Sequence, residues 1–154
     1  MRDTYTLVEV EELSGAERFS IQLWAREGLL RPVPDSLGAG RGVPRRFTID
    51  EVELAALFGR LSRYCSLPAL RKFEKRFRVR ATGSKFERTN TRALIDTARN
   101  GDSNVYLAFT ADDGPIDIFR WEQTGSGPPL RIISAGDAII VNLAHAWSRI
   151  RARI

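Results

Sequence analysis

Apolar side chains recur along this chain in two rhythms, one helical over roughly the first hundred residues and one alternating after residue 105. Leu7, Val10 and Leu13 form a single stripe over Thr6 to Ser14, and Ser14-Gly15 breaks it. Over Ala16 to Leu30, Phe19, Leu23 and Trp24 recur at helical spacing, while Arg18, Ser20, Gln22 and Arg26 leave a polar face. Gly28 stops this second helix, and Phe19 and Trp24 are expected in its core-facing side. Thr48 is an N-cap type with Asp50 and Glu51 in the following turn, and Val52, Leu54, Ala55, Leu57, Phe58 and Leu61 give a third helix a wide apolar face, ending near Tyr64. Ser66 opens a fourth with Pro68 in its first turn; Leu70, Phe73 and Phe77 line one side of it.

Between the second and third helices, residues 29–47 hold three prolines and a run of glycines that forbid a regular element over most of the stretch. Arg45-Arg46-Phe47 suits a short strand, so the segment reads as a β-hairpin wing that offers Arg41, Arg45 and Arg46 to phosphates. A solvated loop with incidental arginines is the alternative.

Beyond a linker at Ala81 to Ser84, Asn90 or Thr91 can cap a helix carrying Leu94, Ile95 and Ala98 and closed by Asn100-Gly101. Val105 to Thr110 and Ile116 to Glu122 alternate as strands around an Asp112-Asp113-Gly114 turn, and Leu130 to Ser134 predicts a third strand. Asp137 then caps a final amphipathic helix with Ile140, Leu143, Ala144, Trp147, Ile150 and Ile154 inward. The expected fold class is α+β. It comprises a helical domain over 1–80, a linker and connecting helix over 81–104, and over 105–154 an antiparallel β-meander with a C-terminal amphipathic helix. That helix either covers its own sheet or helps to pair two copies of the chain.

Charge changes the picture. Of 24 Lys and Arg against 19 Asp and Glu, residues 2–17 hold one arginine against five acids, whereas residues 18–80 hold 14 basic residues against six. The positive field therefore coincides with the second helix and the segments after it, which favours a polyanionic partner. No apolar run reaches the length of a membrane span, and the N-terminus lacks the apolar core of a signal peptide. A lone Cys65 excludes an intrachain disulfide and fits a cytoplasmic setting.

No catalytic, metal or cofactor site is expected. His145 is the single histidine, so neither a Ser-His-Asp triad nor a histidine-rich metal site can be assembled, and no glycine-rich phosphate loop occurs. Asp112, Asp113 and Asp117 read as turn chemistry, and Cys65 as a small buried residue.

Two short helices joined by a tight Gly-containing turn make a helix-turn-helix, a motif whose second helix can enter a DNA major groove. Residues 5 to about 77 resemble the winged helix-turn-helix domain of the mercury-resistance regulator (MerR) family of transcription factors. The resemblance rests on Tyr5-Thr6-Leu7, Gly15-Ala16, Ile21-Gln22-Leu23-Trp24 with Gly28-Leu29-Leu30, and Gly42-Val43-Pro44-Arg45-Arg46-Phe47 at the wing; Thr48 to Glu51 and Cys65-Ser66-Leu67 open the third and fourth helices. The chain departs from the family pattern at Gln22, where the family has arginine, at Leu23-Trp24, where it has a tyrosine pair, and at Tyr64, where it has glycine. The family's operator sequence therefore does not transfer. The resemblance implies a sequence-specific protein for double-stranded DNA, a transcriptional regulator acting as a homodimer. Arg18, Ser20 and Gln22 would lie nearest the bases, Arg26 nearer the backbone, and Arg41, Arg45 and Arg46 on phosphates or reaching toward the minor groove. Similar winged domains in phage excisionases and small terminase subunits make an architectural DNA-binding protein the second reading, and a protein-interaction module with the winged part as scaffold the third.

Overall fold

The computed structural model describes residues 4–34, 44–82, 93–110, 116–121 and 138–153. These form a mixed α+β chain with two small antiparallel sheets, divided into two compact units, Met1–Arg63 with Arg149–Ile154, and Tyr64–Ser148.

In the first unit, β1 (Tyr5–Thr6) runs directly into α1 (Leu7–Ser14). Thr6 makes that junction possible, because its hydroxyl accepts the Glu9 amide at 3.4 Å while the Glu9 carboxylate accepts the Thr6 amide at 2.8 Å. Two otherwise unpaired helix-start donors are thereby satisfied. Gly15 ends α1 in the left-handed region at φ 71°, donating its amide to Glu11 O at 3.0 Å. Val10 and Leu13 are buried and Leu7 is half-buried, as the stripe predicts. α2 (Arg18–Arg26) follows after three residues, and Gly28, at φ 73°, turns the chain away from it. α3 (Ile49–Leu61) begins after Thr48, whose carbonyl rather than hydroxyl takes the first bonds. Val52, Ala55, Leu57, Phe58 and Leu61 are all sealed from solvent, and α1 packs on this face. β2 (Arg46–Phe47) pairs antiparallel with β1, Tyr5 opposite Phe47 and Thr6 opposite Arg46.

In the second unit, α4 (Leu67–Thr82) lays Leu70 and Phe73 inward, and α5 covers residues 93–99 with Ile95 and Ala98 buried. β3 (Val105–Thr110) is the central strand, with β4 (Ile116–Arg120) and β5 (Ala138–Asn142) antiparallel on its two edges. Val105, Leu107 and Phe109 alternate to the covered face, where Phe73 meets Phe109 edge-on at 5.2 Å. α6 (Leu143–Ala146) follows as a single helical turn, and α7 (Ser148–Arg151) carries the chain back into the first unit from Arg149 on.

One expectation is corrected here. The final helix from Asp137 is absent: Ala138–Asn142 is a strand, and only two single-turn helices follow. Ile139, Ile140 and Val141 are β-branched, and β3 offers an otherwise open edge that gives their backbone a full ladder from Tyr106↔Asn142 to Thr110↔Ala138. Helix begins only at Asn142, whose side chain accepts the His145 amide at 2.8 Å. The long helix invoked for pairing two copies is therefore not available. The described strands of this sheet run in the order β4-β3-β5; the expected strand at Leu130 to Ser134 and the turn at Asp112 to Gly114 lie outside the described residues. The two compact units meet in sequence at Arg63 and Tyr64, and Arg149–Ile154 belongs with the first unit.

Candidate functional site

α2 exposes one face and buries the other. Ile21 and Trp24 point inward, and the Trp24 ring meets Phe58 of α3 edge-on with centroids 5.4 Å apart. This contact fixes the rotation of α2 about its own axis and so decides which side chains reach solvent. Leu29 and Leu30, folded back by their amides onto Trp24 O at 2.8 and 3.2 Å, are fully buried and anchor the end of the helix. The α1–α2 turn is pressed onto α3, where Gly59 leaves room for Ala16; a Cβ at Gly59 would lie 3.3 Å from that of Ala16.

Phe19 is corrected from a core residue to a surface one, with 75% of its area exposed. It precedes Ile21 by two residues, about 200° around the axis, so a helix that buries Ile21 and Trp24 must turn Phe19 outward.

A groove of about 450 Å³ runs between this exposed face and the strand segment, lined on one side by Phe19, Gln22, Leu23 and Arg26 and on the other by Pro44 and Arg45. Three of the seven residues singled out from the sequence, Gln22, Arg26 and Arg45, thus converge on one concavity. Among the described residues, neither Gln22 nor Arg45 is held by a hydrogen bond or ion pair, and Arg26 reaches only Glu27, at 3.8 Å. Arg18 is drawn toward α1 by Glu11 at 3.1 Å. Ser20 is half-buried and does not line the groove. Arg46 is exposed on β2, its Nη1 donating to Thr4 Oγ1 at 3.4 Å; Arg41 lies outside the described residues.

The arginine-bearing segment is tied at its base. The Val33 amide donates to Arg46 O at 2.8 Å, so the chain departs at Val33 and returns beside it at Arg46, with β1 on the far side of β2. Backbone pairing therefore closes the base of the segment beside Arg45 and Arg46.

No protein-family model matches the chain, and no curated protein is similar to it.

A second basic group escaped sequence reasoning. At the end of α3, burial and then the charges of Arg63 and Arg149 hold the Arg60 pKa below the ordinary arginine value. Arg149 also sets its guanidinium against Gly15, in the turn that leads to α2. Arg60 and Arg63 are neighbours in sequence at the end of α3, but nothing local signals that a residue some ninety positions later joins them. The remaining chemistry is sparse. Cys65 is half-buried, its thiol pushed up by burial, and His145 is an exposed residue on a single helical turn. Among the described residues no group of three His, Cys, Asp or Glu side chains comes together around a metal-sized space, and no helix is long and apolar enough to cross a membrane.

Proposed function

We propose that this protein binds double-stranded DNA through a winged helix-turn-helix formed by α1, α2 and the stem closed by Val33 and Arg46. α2 lies in the major groove with Gln22 toward the base edges and Arg26 toward the backbone, and Arg45 and Arg46 take phosphates beside it. The observation that carries this reading is the pairing of an outward polar helix face with a stem-mounted arginine across one groove. The basic surplus over residues 18–80 supports it, as does the resemblance of residues 5 to about 77 to the MerR family, which also favours a role in transcriptional regulation.

Selection of bound fragments from a random-core duplex library, followed by fluorescence anisotropy across a salt series, tests the proposal. Enrichment of a defined core, with affinity falling linearly in log salt, is expected. Recovery of unenriched sequence with no salt dependence overturns it.

A second reading has its own observation. On the face of the sheet opposite Phe109, Tyr106 and Phe119 stack at 6.0 Å and Trp121, a residue 38% exposed, leans on Tyr106 at 5.9 Å. Such an aromatic face suits a protein partner, with the first unit then acting as scaffold. Absence of any duplex preference at physiological salt would favour it.

A further inference from the structure

Phe19 is the most exposed large apolar side chain among the described residues. Single apolar residues in solvent are ordinary, but this one shares the groove with Gln22, Arg26 and Arg45 and takes no part in the packing that orients α2. Three residues separate Phe19 from Gln22, which advances them by about 4.5 Å along the helix axis. That is close to the stacking distance of about 3.4 Å between successive base pairs. Two such side chains on a helix lying along the major groove therefore address neighbouring base pairs, whereas Arg26, a further turn away, reaches past them to the backbone. Their chemistries divide the work. A phenyl ring has neither donor nor acceptor, and the one apolar group that a base pair presents in the major groove is the C5-methyl of thymine. A glutamine amide matches adenine, accepting from N6 and donating to N7.

We infer that Phe19 is a specificity-determining residue that packs on a thymine methyl next to the adenine read by Gln22, so that α2 selects a step of two A·T pairs. The inference rests on the duplex-binding reading above and adds to it a ligand group that can be removed one atom cluster at a time.

The test uses the full chain and the best duplex from the random-core selection, in which each thymine is replaced in turn by deoxyuridine. This deletes one methyl and leaves every hydrogen bond in place. At one position the wild-type affinity is expected to fall about fourfold, the value of burying one methyl-sized group. Phe19→Ala should bind the thymine and deoxyuridine duplexes equally, Phe19→Leu should retain discrimination, and Gln22→Ala should keep the methyl effect while losing preference for adenine. Phe19 lies outside the core, so the melting temperature of the alanine variant should match that of the wild type. A wild-type protein indifferent to every methyl, or Phe19→Ala retaining the full penalty, overturns the inference; if salt-dependent duplex binding persists in that case, the functional reading stands without it. Failure to bind any duplex overturns both.

Discussion

Glu51 Oε2 accepts the backbone amide of Arg31 at 2.9 Å, across twenty residues of sequence, and Glu51 itself is only 5% exposed. A carboxylate in the first turn of α3 thus ends the excursion of the chain after α2 and holds it beside the helix. Glu51→Ala leaves the Arg31 amide with its acceptor removed, and a loss of about 1.5–3 kcal/mol of stability is expected. Glu51→Gln, which keeps an acceptor oxygen, should lose less. Urea denaturation of the two variants separates these outcomes.

Trp24 carries the orientation of the exposed helix. Trp24→Ala removes the edge-on contact with Phe58 and opens a cavity beneath α2, and a destabilisation of about 3–5 kcal/mol is expected. Trp24→Phe keeps an aromatic against Phe58 and should lose much less. Chemical denaturation monitored by circular dichroism checks both.

Arg45 and Arg46 sit at the foot of the stem, and each is read as neutralising one phosphate. The double variant Arg45→Ala with Arg46→Ala should weaken binding to all duplexes alike and reduce the slope of log affinity against log salt by about two. An unchanged slope in the anisotropy titration would remove these residues from the interface.

Gly15 combines two constraints. At φ 71° it occupies a backbone region that disfavours a side chain, and a Cβ there would approach Arg149 Nη1 to 2.7 Å. The guanidinium is the free end of a long side chain and can withdraw, whereas the backbone cannot. Gly15→Ala should therefore lower stability by about 1–2 kcal/mol, and most of that loss should persist in an Arg149→Ala background. A double-mutant cycle measures the small coupling expected.

Cys65 gives a pH dependence. Burial raises its thiol pKa above the ordinary 9.0, so the folded state keeps its proton to higher pH than the unfolded chain does. The associated stability is complete below about pH 9 and is lost as pH rises toward the folded value. Cys65→Ser, whose hydroxyl does not titrate in this range, should flatten the alkaline decline in melting temperature. Alkylation by iodoacetamide should be slower for native protein than for protein unfolded in urea.

The helical half was legible because its signals are local. Thr6, Gly15, Gly28 and Ser66 punctuate the chain by their own backbone and capping preferences, and the elements begin and end at or beside them. Phe19 was misread because periodicity pairs it with Leu23 as readily as it pairs Ile21 with Trp24; which pair faces inward depends on Phe58, far away in sequence. The final segment was misread for the same reason. Ile140, Leu143, Ala144, Trp147 and Ile150 fit a helical stripe, yet residues 138–142 pair along the edge of β3 instead.

The amino-acid sequence by itself determined where the first four helices begin, which segment carries the positive charge, and that Gln22, Arg26 and Arg45 are polar side chains suited to a polyanion, since these follow from the chemistry of residues and their immediate neighbours. Only the tertiary structure decided that these three line one groove, that Phe19 joins them, that Arg149 returns to Gly15 and that residues 138–142 complete a sheet. Each of those depends on a contact between residues distant in the chain, whose formation is governed by packing and ladder completion rather than by local preference.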